Sequence, residues 1–104
     1  MRSHEWIDRR SLALHEAVAA KLAERPELLD VARDNLERWL RARRVPALLE
    51  WRDLLAREPL PSILDLLRSP SETATRLRQS SPFAGILTLE ERDTILRRHE
   101  SRSA

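Results

Sequence analysis

Pro26-Glu-Leu-Leu-Asp-Val-Ala-Arg-Asp-Asn-Leu-Glu-Arg-Trp-Leu-Arg-Ala-Arg43 is the stretch that decides the fold. Leu28 or Leu29, Ala32, Leu36, Trp39 and Leu40 recur every three or four residues, the period of one helix face. Pro26 suits a first helical position, where its missing N–H has no partner to lose. Glu27 and Asp30 lie in the first turn and Arg41, Arg43 and Arg44 at the end, so both ends match the helix dipole. A helix is expected over residues 26–43.

The same opening recurs as Pro46-Ala-Leu-Leu-Glu and Pro61-Ser-Ile-Leu-Asp. The unequal spacing argues against a repeat array, which needs a fixed period; the three prolines are separate uses of one way of starting a helix. Upstream, Trp6, Ala13, Leu14, Ala17, Val18 and Leu22 predict a first helix over residues 3–24, ended by Arg25-Pro26. Downstream, a third helix is expected over 46–57, with Leu48, Trp51, Leu54 and Leu55 inward, and a fourth over 61–68, with Ile63, Leu64 and Leu67 inward. Ser69-Pro70-Ser71-Glu72 reads as a capping box for a fifth over 70–79. Thr88-Leu89-Glu90-Glu91 reads as another, opening a last helix to His99. Residues 80–87 form a loop, and residues 100–104 are expected to fray.

These elements predict an all-α fold, a compact bundle of five to six short helices in a single domain over residues 1–104. Composition agrees: 35% of the 104 residues are charged, 4% are aromatic, and there is one Gly, no Tyr and no Cys. A core must come from Leu, Ala, Ile and Val. Trp39 and Trp51 fall on apolar stripes and are expected inside, whereas Trp6 suits either core or surface.

Nineteen basic residues face 17 acidic ones, giving a net charge of +2 with the signs interleaved. That balance is poor for a dedicated nucleic-acid binder, which usually carries an uncancelled basic stripe. The lack of Cys excludes disulfides and thiolate metal sites and fits a reducing cytoplasm. No apolar run near the N-terminus exceeds Ala17–Ala20, so neither a signal core nor a membrane span is expected.

Catalytic and metal chemistry find little support. His15-Glu16-Ala17-Val18-Ala19 opens like a zinc-protease helix but has Ala where the second His is required. His4, His15 and His99 are dispersed, and the carboxylates Glu90, Glu91, Asp30 and Asp34 each lie one helical step from an arginine. Nothing resembles a phosphate loop or a cofactor fingerprint, so no catalytic residue, metal or cofactor is expected. The arginines Arg41, Arg43, Arg44, Arg97 and Arg98, together with Arg92 and Arg102, are the candidates for phosphate contact. A weak helix-turn-helix pattern over residues 61–79 would offer Glu72, Thr73, Arg76 and Gln79 to bases.

Residues 76–92, Arg-Leu-Arg-Gln-Ser-Ser-Pro-Phe-Ala-Gly-Ile-Leu-Thr-Leu-Glu-Glu-Arg, hold the chain's only Phe and only Gly. One reading makes them an internal loop in which Phe83, Ile86 and Leu87 plug the bundle and Gly85 makes the turn. The other makes them a recognition loop: Arg76, Arg78, Gln79, Ser80 and Ser81 supply polar contacts, Pro82 stiffens the approach, Phe83 enters a partner's pocket, and Gly85 lets backbones come close.

Residues 77–92, with Leu12-Ala-Leu-His-Glu-Ala-Val18 and Ala32-Arg-Asp-Asn-Leu-Glu-Arg-Trp39, resemble a group of short bacterial proteins similar to the antitoxin partner of two-gene toxin–antitoxin operons. The similarity covers most of the chain; the group often has a tryptophan soon after Glu-Glu-Arg, where this chain has Asp93-Thr94. The resemblance implies a non-catalytic inhibitor that occludes a cognate toxin, such as a nuclease or nucleotidyltransferase. Combined with the recognition loop, it gives the expectation of a cytoplasmic toxin-binding module that contacts its partner through residues 76–85, and it leaves a homodimer open. The alternative is a regulator bound to operator DNA through the arginines named above.

Overall fold

The computed structural model describes residues 4–103, which form six α-helices and one 3₁₀ turn with no strand among them. The helices are α1 (His4–Glu24), α2 (Leu29–Ala42), α3 (Pro46–Arg57), α4 (Leu60–Arg68), α5 (Glu72–Arg78) and α6 (Leu89–Ser103). The all-α bundle expected from the sequence is therefore the observed fold. No helix among the described residues is long and apolar enough to cross a membrane.

The proline signals act at the expected places with small shifts. Pro46 starts α3, while Pro26 opens the 3₁₀ turn Pro26–Leu28, and the α-helical ladder begins only at Leu29. Ser71, not Ser69, caps α5: its Oγ accepts the Ala74 N–H at 3.1 Å, and Ser69 Oγ accepts the Ser71 N–H instead. At α6 the capping box is reciprocal, Thr88 Oγ1 accepting the Glu91 N–H at 3.0 Å and Glu91 accepting the Thr88 N–H at 2.8 Å. The tail expected to fray from residue 100 continues α6 to Ser103, and residue 104 lies outside the described residues.

Helix α1 is the spine. At about 1.5 Å per residue its 21 residues span roughly 31 Å, and α4, α5 and α6 all pack on it while α2 packs on α3. The core takes Val18, Ala19 and Leu22 from α1, Ala32 and Leu36 from α2, Trp51 and Leu55 from α3, and Ile63 and Leu67 from α4. Phe83 and Ile86, from the connection between α5 and α6, belong to the same cluster. No residue of α6 through Glu100 is buried, so this helix lies on the outside of the bundle.

Trp51 is inside as expected and fully covered, whereas Trp39 is half-exposed and corrects the expectation that both are core. Its neighbour Leu40 takes the buried position in that turn instead. Trp6 is half-buried, its ring 5.3 Å from that of His99 and 5.9 Å from the Arg10 guanidinium carbon.

Candidate functional site

Of the two readings of the connection between α5 and α6, the outward recognition loop fails at its central residue and the internal plug holds for Phe83 and Ile86. Phe83 is only 3% exposed, with its ring at 5.2 Å and 85° to Trp51 and at 6.2 Å and 89° to His15. Edge-to-face pairs of this kind stabilise by about 0.5–1.5 kcal/mol beyond area burial. The expectation that Phe83 enters a partner's pocket is therefore corrected: the pocket it fills is this protein's own.

Polar groups fasten the segment from several directions. Asn35 on α2, itself buried, donates from Nδ2 to the carbonyls of Pro82 at 2.9 Å and Ala84 at 2.8 Å, and its Oδ1 accepts from Arg38 at 2.7 Å. The first bond satisfies the carbonyl of the fully buried Pro82, which would otherwise lack a partner, and the second ties down the exposed Ala84. The Trp51 indole N–H donates to the Leu77 carbonyl at 2.8 Å. Arg78 turns inward, donating to the carbonyls of Leu66 at 3.1 Å and Ser69 at 2.7 Å. Burial lowers its guanidinium pKa, and the charges of Asp8 and Glu16 act in the opposite sense.

His15 joins α1 to the loop. Its Nδ1 lies 2.7 Å from the Ser11 carbonyl, which can only accept, so the proton is assigned to Nδ1. Nε2 then accepts from the Ser81 hydroxyl at 2.7 Å, and Ser81 Oγ in turn accepts the Phe83 N–H at 3.2 Å. Burial lowers the His15 pKa, the Ser11 bond opposes this, and the charge of Arg78 adds to the lowering. The imidazole is held neutral, as an acceptor for the loop.

The remaining expected contact residues divide. Arg76 is exposed but makes a two-pronged pair with Glu50 at 2.9 and 3.1 Å. Gln79 is exposed, Ser80 and Ser81 are half-buried, and Pro82 is fully buried. Gly85 is exposed with φ +91°, the only positive φ among the described residues, and a Cβ there would meet just Val31 Cγ1 at 3.7 Å. Glycine is needed for the backbone turn rather than for a close approach. Of the residues proposed for base contact, Glu72, Thr73 and Gln79 are exposed, while Arg76 is held by Glu50.

The outer surface offers two features. At the end of α2, the run Arg38-Trp-Leu-Arg-Ala-Arg-Arg44 has four arginines and no carboxylate, and the next acid is Glu50. Arg41, Arg43 and Arg44 are exposed, and no ion pair among the described residues includes them. Arg97, by contrast, pairs with Asp93 at 3.7 Å, and Arg98 borders the α1–α6 groove beside Glu24 and Glu90. The second feature is Leu89, 85% exposed at the start of α6. It borders a groove of about 500 Å³ also lined by Leu14, Val18, Ala84 and Leu87.

Trp39 was missed as a surface residue because the helical stripe of α2 includes position 39; the signal available was the acid-free run around it. Among the described residues, no group of His, Asp and Glu is placed to hold a metal ion. Comparison with protein-family models, curated proteins and solved structures finds no match to this chain.

Proposed function

We propose that the chain is an antitoxin-like inhibitor that occludes a toxin enzyme with the cationic end of α2. The observation that carries this reading is the set of exposed guanidiniums at Arg41, Arg43 and Arg44, in no ion pair among the described residues and next to the half-exposed Trp39. A nuclease or nucleotidyltransferase gathers carboxylates around its divalent metals and receives a polyanionic substrate. A protein that blocks such a site is suited by arginine forks, which bind carboxylates in pairs, and by an aromatic edge. The resemblance to antitoxin-type proteins supports the same class of partner.

The test is binding to the purified product of the adjacent gene, with growth protection in cells as the second readout. Changing Arg41, Arg43 and Arg44 together to Ala is expected to weaken binding at least about tenfold, as loss of arginine hot spots does. Unchanged affinity and protection in that variant would overturn the assignment.

The same guanidiniums favour one alternative, contact with operator DNA. That reading requires a promoter complex whose affinity falls steeply with salt. A gel shift with the chain's own promoter, lost in the triple-Ala variant while toxin binding persists, would favour it over occlusion.

A further inference from the structure

The outer face of α6 carries a self-complementary pattern. At about 100° per residue, Leu89, Arg92, Asp93 and Leu96 fall on one stripe. Glu91, Thr94, Ile95 and Arg98 fall on the opposite side and line the groove against α1. The Lys21–Glu91 ion pair at 2.6 Å fixes that inner side to α1. The outer stripe is left to solvent, with Leu89, Arg92 and Asp93 exposed and Leu96 half-exposed around a depression of about 450 Å³.

Leu-x-x-Arg-Asp-x-x-Leu places two leucines symmetrically about an adjacent pair of opposite charges. A two-fold axis across the helix, between residues 92 and 93, maps this pattern onto itself. Leu89 then faces Leu96 of the partner subunit, and Arg92 faces Asp93 of the partner subunit, each contact occurring twice. No ion pair within the described residues includes Arg92. Among the described residues Asp93 has a single ion pair, at 3.7 Å with Arg97, both side chains being about 70% exposed, and such pairs hold their partners weakly.

We infer that α6 is a homodimer surface on which two copies pair antiparallel through Leu89, Arg92, Asp93 and Leu96. Parallel pairing would set Arg92 against Arg92 and Asp93 against Asp93, so the charges select the antiparallel arrangement. The contact extends over about two helical turns and belongs at the small end of specific interfaces. The dimer is therefore concentration-dependent. It uses a different helix from the cationic end of α2 and stands independently of the toxin-binding reading.

Sedimentation equilibrium of the full chain from micromolar to millimolar concentration tests this. The wild type is expected to approach twice its 12.1 kDa mass. Arg92→Asp and Asp93→Arg are each expected to weaken association at least tenfold by bringing like charges together. Mixing the two single variants restores both ion pairs in a heterodimer, and the double variant restores them in a homodimer. A wild type that stays monomeric throughout, or association unchanged by both single reversals, would overturn the inference. A spin label on Glu90→Cys, in a chain with no other cysteine, gives a second readout without charge reversal. Intersubunit dipolar coupling is expected, and its absence at millimolar concentration counts against the dimer.

Discussion

Arg78 and Arg43 are the same residue type at the ends of α5 and α2, yet one turns inward and the other outward. Arg78 is 5% exposed and donates to two backbone carbonyls, whereas Arg43 is exposed and makes no ion pair among the described residues. The contrast extends to their neighbours. Beyond Arg78 the chain passes over the bundle, where Ser81, Pro82 and Phe83 meet His15, Asn35 and Trp51. Beyond Arg43 the chain crosses a short extended link to Val45, the N-cap of α3. The unusual-looking segment is part of the interior, and the ordinary-looking helix end is the free surface.

The first way to break this contrast is Phe83→Ala. Truncating a buried aromatic leaves a cavity and costs about 3–5 kcal/mol; chemical denaturation followed by Trp fluorescence should show a loss of that size. Asn35→Ala comes next, because it strands the Pro82 carbonyl and releases that of Ala84. A loss of about 1–3 kcal/mol is expected from leaving a buried acceptor unpaired, again measured by denaturant midpoint. Arg41→Ala, Arg43→Ala and Arg44→Ala are expected to move stability by no more than about 0.5 kcal/mol each, as surface changes do. A large loss at Arg43 would mean that the end of α2 is structural after all.

A pH titration sharpens the same contrast at His15. Its folded-state pKa is lowered from 6.5, chiefly by burial. Its stabilising contribution is thus fully present above the unfolded value and is lost as pH falls from 6.5 through the folded value. Glu91, held at about 2 by the Lys21 hydrogen bond and the Thr88 cap, contributes stability that is present above 4.5 and lost as pH falls toward about 2. In His15→Gln the upper step should vanish while the Glu91 step remains, as denaturation midpoints between pH 8 and 2 would show.

Local chemistry made the helices legible: Pro46, Pro61 and the Thr88–Glu91 box act on their own neighbours, and the apolar period of α2 and α4 locates Leu36 and Leu67. The position of Phe83 was legible and its direction was not. A lone aromatic between Pro and Gly suits a plug or a probe equally well, and the choice depends on Trp51 and His15, 32 and 68 residues away in sequence. Asn35 gave no signal for a similar reason, since its partners are backbone carbonyls, which every sequence supplies. Trp39 fits the apolar stripe, but so does its neighbour Leu40, and the stripe does not show which of the two is covered.

Because the chain has one phenylalanine, incorporation of fluorophenylalanine yields a single ¹⁹F resonance reporting on position 83 alone. The measurement is its broadening by a soluble paramagnetic agent in the native protein. A buried ring should show a resonance shifted by the Trp51 ring and protected from the agent. A resonance at the solvent-exposed position, broadened as fully as in the unfolded chain, would contradict the account of the segment as part of the core.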